Sequence, residues 1–291
     1  MTLGTPGGAL DWVHGVLWQE NGIGGVRLVH DVLNPEMFRK FNRKEGKDLS
    51  DSLQALERLK VELAWACRIM YMLGLDDITL GHITARLPGG HAVLMKPRGL
   101  GFEEVCPEDI VTIDLEGRQI AGHRGVHSET PIHTEILKRR PDVNSVIHCH
   151  SIYATAFSSV GLDVQVNSHD GVLFADGVAF YDDDPELIWD NSQGAAIAEC
   201  LGDRRAVLLR NHGVVVVGKD IPWAVLTAVL LEKTIKVQAI ANLFGSPRPI
   251  DRETVKKMFP TKYNDKLVAN YWVYYKRRVV REGLADGLPP L

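Results

Sequence analysis

From Asp51 to Leu73 the apolar residues Leu53, Leu56, Leu59, Leu63, Ala66, Cys67 and Met70 recur at spacings of three and four, the period of an amphipathic helix. Asp51 or Ser52 stands where a cap belongs. Short alternating or apolar runs follow at Thr79 to Arg86, His91 to Lys96 and Ile110 to Asp114, separated by Pro88-Gly89-Gly90 and Glu116-Gly117, and these predict strands joined by turns. A helix is expected after Ser128, with Pro131 in its first turn and its end before Pro141. Val143 to His148 predicts a buried strand, Ser151 a cap for another helix, and Ala206 to Gly218 two strands broken by Arg210-Asn211-His212-Gly213. Pro222 to Phe244 predicts a long helix ending at Gly245. The aromatic and basic tail from Tyr263 to Arg281 fits a partly packed helix, with the covering of an active site as the other reading.

Strands and helices interleave, and no repeat or low-complexity linker divides the chain after residue 50. We therefore expect one α/β domain over residues 51–291, preceded by an extension over residues 1–50 that packs on a neighbour. The pairs Gly7-Gly8 and Gly24-Gly25 and the charged stretch Arg39 to Lys47 lie in that extension, and the glycines lack the strand-to-helix context of a nucleotide loop.

Composition narrows the class. The 291 residues are 45% hydrophobic, enough for a real core, and the net charge of -4 offers no field for nucleic acid. Met1 to Leu10 lacks the pattern of a secretory leader, and no run approaches the roughly 18 apolar residues of a membrane span. A cytoplasmic address, no membrane partner and a small-molecule partner are the expectations. The four cysteines are dispersed without CxxC pairing, so they are expected reduced and mostly buried.

His148-Cys149-His150 closes a predicted strand, where residues i and i+2 share a face, so both imidazoles can reach one point while Cys149 faces away. A lone pair of this kind also occurs as hydrogen-bonded core histidines. His212 sits in a polar turn between two strands, where it can bring a third imidazole to a strand end. Glu129 opens a helix just before the first histidine strand, and in open α/β sheets helix starts and strand ends share one rim. Such a set suits zinc, iron, manganese or cobalt acting as a Lewis acid.

Several motifs in order, namely Gly81-His82-Ile83-Thr84-Ala85-Arg86, Lys96-Pro97-Arg98-Gly99, Ser128-Glu129 with His133, Arg140-Pro141-Asp142-Val143, His148-Cys149-His150 and Asn211-His212-Gly213, resemble the class II aldolase/adducin family from about Leu59 to Leu243. The resemblance implies an αβα sandwich and a homotetramer with active sites between subunits. It also implies that His148, His150 and His212 hold the metal, zinc first with manganese or iron as alternatives, and that Glu129 is ligand and acid/base.

The departures from the aldolases of that family matter as much. Where those hold a substrate phosphate with small donors, this chain carries His82, Arg98 and His127-Ser128, a planar set that suits a carboxylate. His169 falls where the family aldolases carry a tyrosine acid from the adjoining subunit, and a surface loop histidine is its plain alternative. His133, one turn after Glu129, is expected to orient Glu129 or satisfy a buried carbonyl, with direct ligation of the metal as the alternative. Arg86 and Lys96 are open between a solvated or structural charge and a substrate contact. The resulting expectation is a metal-dependent lyase, a decarboxylase of a hydroxylated aromatic or oxo carboxylic acid ahead of an aldolase. Its rivals are a non-heme iron oxygenase acting on a phenolic acid and an adducin-like binding module without chemistry.

Overall fold

Short, mostly apolar runs buried on both faces favour central strands over helical turns, and Ser145–Cys149 (β8), Ala206–Leu209 (β10) and Gly213–Gly218 (β11) are such runs. In the computed structural model, which describes residues 11–13, 16–21, 25–29, 49–183 and 187–291, they belong to an eight-stranded sheet. Its other strands are His82–Arg86 (β4), Ala92–Met95 (β5), Val111–Asp114 (β6), Gln119–Ala121 (β7) and Ala179–Tyr181 (β9). The order is β7-β6-β5-β4-β8-β11-β10-β9, antiparallel throughout except for the β9/β10 pair.

Because successive side chains alternate across a strand, the sheet presents two apolar faces. Ile83, Leu94, Ile147, Cys149, Leu208, Val214 and Val216 share a core with helices α1 (Leu49–Met72), α3 (Ile152–Val160) and α5 (Ile221–Phe244). Val93, Val111, Ile113, Val146, Val207, Val215 and Val217 form the second core with α2 (Thr130–Arg139) and α4 (Asn191–Leu201). The result is the expected αβα sandwich. Helices α6 (Arg252–Lys262) and α7 (Asp265–Arg281) join the first core through Val255, Val268, Trp272 and Val279, so the aromatic tail is a partly packed helix.

Several local expectations change. Helix α1 begins at Leu49, ahead of both Asp51 and Ser52, so neither is its cap. Ser151 is the N-cap residue of α3, as expected, but its side chain makes no capping bond. Its hydroxyl donates to Glu232 Oε2 (2.8 Å), and the same carboxylate accepts the Tyr153 and Ala154 N–H groups (2.9 Å each), so an anion from α5 satisfies the helix start. Helix α4, β7 and β9 were not expected from the periodicity, and Pro260 is accommodated inside α6.

Within the extension, Asp11–Val13 (β1), Val16–Asn21 (β2) and Gly25–Val29 (β3) form their own antiparallel sheet. Gly7-Gly8, Gly24 and the stretch from Arg39 to Lys47 lie outside the described residues. Among the described residues no helix is long and apolar enough to cross a membrane.

Candidate metal centre

Three strand ends meet at one rim of the sheet: the start of β4, the end of β8 and the turn from β10 into β11. Register brings their side chains together, since His82 pairs with His148 across β4 and β8, and Val214 pairs with Cys149 across β11 and β8. His82 and His148 therefore project to the same face, with ring centroids 4.9 Å apart. The turn carrying His212 is made by Asn211 in the left-handed region (φ 55°). Gly213 then follows because a Cβ there would lie 2.6 Å from His150 Cδ2 and 2.7 Å from the Cys149 carbonyl oxygen. Glu129 is the N-cap residue of α2 and enters from the adjoining layer.

Hydrogen bonds fix the chemistry of the rings. His148 Nδ1 donates to the Val214 carbonyl (3.1 Å) and His150 Nδ1 donates to Asp77 Oδ2 (2.7 Å). A neutral ring whose Nδ1 is the donor keeps a lone pair on Nε2, and the two Nε2 atoms face one another at 3.0 Å. Two facing lone pairs call for a cation between them, and imidazoles on one tetrahedral metal stand about 3.3 Å apart on ordinary metal–nitrogen lengths. His212 Nε2 lies 3.5 Å from Glu129 Oε1, His148 Nε2 lies 3.6 Å from Glu129 Oε2, and His212 Nδ1 is buried without a partner. One donor atom from each of Glu129, His148, His150 and His212 falls within 4.8 Å of the others. This set fits a divalent cation.

Burial sets the protonation states. It pulls His148 well below the ordinary imidazole range, with His212 and His150 adding to the effect. Burial, then His150, lowers His212 to about 4. Both rings are therefore neutral near pH 7. Burial raises the Glu129 carboxyl against the opposing effect of the Ile188 N–H, which donates to Oε1 (3.2 Å) and leaves Oε2 facing the histidines.

Around this set lies a second group. His82 Nε2 is 3.4 Å from Glu129 Oε2, and the His82 and His127 ring centroids are 4.0 Å apart. His133 does not touch Glu129. Its Nε2 bonds His82 Nδ1 (2.5 Å) and its Nδ1 bonds Thr84 Oγ1 (2.7 Å), because its side chain points from α2 onto β4 and not back along its own helix. Burial, followed by the neighbouring histidines, keeps His82 well below its usual value, and burial, Lys96 and Arg98 bring His127 to about 4. These two rings are thus neutral, and of the set read as a carboxylate site only Arg98 carries charge. Arg98 and Ser128 are exposed beside them.

Lys96 is fully buried, and Arg86 donates to the Val143, Leu137, Gly90 and Arg140 carbonyls, which makes Arg86 a structural charge. His169 stands apart from the cluster in its own chain. It is exposed at the start of a 3-10 turn (Asp170–Phe174), where its carbonyl accepts from the Tyr263 hydroxyl (3.4 Å). Asp77 and Thr84 are the site-bordering residues that sequence reasoning missed. Both act through side chains distant in sequence, and nothing in their own neighbourhood announces it.

Residues 61–239 match the family model described as the Class II Aldolase and Adducin N-terminal domain. The chain is 31% identical over 202 residues to a 4-hydroxy-3-prenylphenylpyruvate oxygenase/4-hydroxy-3-prenylbenzoate synthase of Streptomyces roseochromogenus subsp. oscitans, covering 68% of this chain and 73% of that protein. It is 35% identical over 187 residues to the 3,4-dihydroxyphthalate decarboxylase of Arthrobacter keyseri, covering 58% and 73% respectively. Among solved structures, an L-fuculose 1-phosphate aldolase from Glaciozyma antarctica PI12 superposes with a TM-score of 0.71 at 30% identity, covering 80% of this chain and 92% of that one.

Proposed function

The chain belongs to the class II aldolase and adducin family, and from that premise we propose that it is a divalent-metal-dependent carbon–carbon lyase that decarboxylates a hydroxylated aromatic or oxo carboxylic acid. The observation that carries the metal is the pair of bare Nε2 atoms of His148 and His150, 3.0 Å apart, with their opposite nitrogens committed to a carbonyl and a carboxylate. Zinc is the first choice for the His148, His150, His212 and Glu129 set, with manganese and iron next. A cation held there would supply Lewis acidity, drawing negative charge from adjacent substrate oxygens as the carbon–carbon bond breaks.

The substrate class follows from what borders the set. Neutral His82 and His127 offer planar hydrogen-bonding groups without charge, and Arg98 supplies a guanidinium from the solvent side. That arrangement suits a planar carboxylic acid better than a doubly charged phosphate. Glu129, buried and raised in pKa with Oε1 held by the Ile188 N–H, moves the proton at Oε2. His169 of an adjoining subunit in a tetramer is assigned to protonating the carbanionic carbon. Residues 51–291 form the catalytic unit in this reading, with residues 1–50 as its extension.

The test is carbon dioxide release from dihydroxylated aromatic acids, with metal content measured alongside. His148→Ala, His150→Ala and His212→Ala should lose the metal with the fold kept, while Glu129→Gln keeps much of it and slows turnover by about 10²-fold or more. Stoichiometric metal in the His148 or His150 variant would refute the ligand set. A second reading, an iron-dependent oxygenase, is favoured by the named oxygenase relative and by a set of three imidazoles. Oxygen consumption in step with substrate loss would select it.

A further inference from the structure

Lys96 is among the largest fully buried side chains, and its ammonium is spent on backbone. Nζ donates to the Thr79 carbonyl (3.1 Å) and the Pro97 carbonyl (3.3 Å) and lies 5.5 Å from the Phe102 ring centroid. A buried cation is expensive compared with an apolar side chain of the same length, so what it grips is informative. Thr79 lies in a turn closed by the Leu80 N–H bonding the Asp77 carbonyl (2.8 Å). Inside that turn Ile78 adopts φ 47°, a region β-branched residues avoid, and its side chain is 79% exposed and gains no packing in return. The turn therefore needs a restraint from outside. Its other end is Asp77, whose Oδ2 accepts from His150 Nδ1 at 2.7 Å.

We propose that Asp77 and Lys96 are positioning residues of the metal centre: Lys96 clamps the strained turn through the Thr79 carbonyl, and the turn presses Asp77 onto His150 so that Nε2 points at the cation. The inference rests on His150 being a ligand. Asp77 fixes the tautomer and raises the basicity of the ring, as carboxylates behind metal-bound histidines do. Lys96, with its N–H groups directed at carbonyls, is a clamp and not a substrate contact.

The experiment strips the full-length protein of metal and titrates Co²⁺ against a competing chelator, following the cobalt absorption bands. Asp77→Ala should weaken Co²⁺ by about 10- to 100-fold and shift the bands, with Asp77→Asn between it and the wild type. Lys96→Met should weaken Co²⁺ by about fivefold or more, and in the Asp77→Ala background the same change should move affinity by less than about twofold, because both act through one contact. If Lys96→Met does not fold, Lys96→Gln takes its place in the cycle. Full additivity of the two substitutions, or unchanged affinity in both single variants, overturns the proposal. The ligand reading fails separately: in that case wild-type protein binds no Co²⁺, or His150→Ala binds it as the wild type does.

Discussion

Gly213→Ala puts a methyl group where the candidate metal centre has no room. The new Cβ would stand 2.6 Å from His150 Cδ2 and 2.7 Å from the Cys149 carbonyl oxygen, against about 3.4 Å for ordinary contact, so some 0.8 Å must be found. Strand β11 cannot simply retreat, because Val214 and Cys149 are paired in the ladder and Val215 and Val217 are buried in the second core. The His150 ring is the freer partner, and its movement draws Nε2 off the site and stretches the bond to Asp77. Metal sites tolerate ligand errors of only about 0.2 Å. We expect a loss of about 1–3 kcal/mol in stability from overpacking, which leaves the protein folded, and a fall in metal affinity of about 10- to 100-fold. Chelator competition on purified protein measures the affinity and urea unfolding the stability. Gly125→Ala, whose Cβ meets nothing within 4 Å, serves as the control. Wild-type affinity in a folded Gly213→Ala protein would refute the reasoning.

Protonation gives a second expectation for the metal-stripped protein. His127 and His212 sit at about 4 and His133 at about 3, below the 6.5 of a free imidazole, and His82 and His148 are also held well below it, all chiefly through burial. Folded-state values are depressed, so this stability is fully present above pH 6.5 and is lost as pH falls toward 4. Unfolding near pH 5 should take up about three or more protons, less up to one that Glu129, raised by burial, binds in the folded state, and an unfolding midpoint equal at pH 7 and pH 5 would contradict neutral buried rings. Arg98→Ala should raise the KM for an aromatic acid by the equivalent of about 0.5–1 kcal/mol, the range of an exposed ion pair. Efficient cleavage of a sugar phosphate, indifferent to that change, would restore the aldolase. Mixing His148→Ala with His169→Ala protein under subunit exchange should regenerate activity, and mixtures no better than their parents would place both residues in one subunit's site.

Much of this was readable because strand and helix periods are short-range. The i, i+2 histidines on β8 and the apolar stripe of α1 declare themselves within a few residues. The supports of the site do not. Asp77 reaches His150, Lys96 reaches Thr79, and His133 reaches across a layer to Thr84 and His82, each pairing set by how elements stack. Lys96 is the clearest case, since a lysine before a proline reads as a solvated charge until the fold is seen to close over it. Ser151 holds the N-cap position but not the capping bonds for a related reason: a carboxylate from α5, distant in sequence, takes the N–H groups and the Ser151 hydroxyl itself. Helix α4, with three alanines and a glycine among its 11 residues, carried too weak an apolar stripe to show.

The strand order has a consequence during synthesis. Strand β8 lies between β4 and β11, yet β4 precedes it in the chain and β11 is made much later, after α3, β9, α4 and β10. At ribosomal speed the interval is on the order of ten seconds. Throughout it one edge of β8, with Val146 and Ile147 at its centre, has no partner in its own chain and is a template for another nascent chain on the same message. Glu129, His148 and His150 have all emerged by then, while His212 has not. On the proposed ligand set, a chain stalled before residue 212 would offer a cation three ligands out of four while still exposing the open edge of β8.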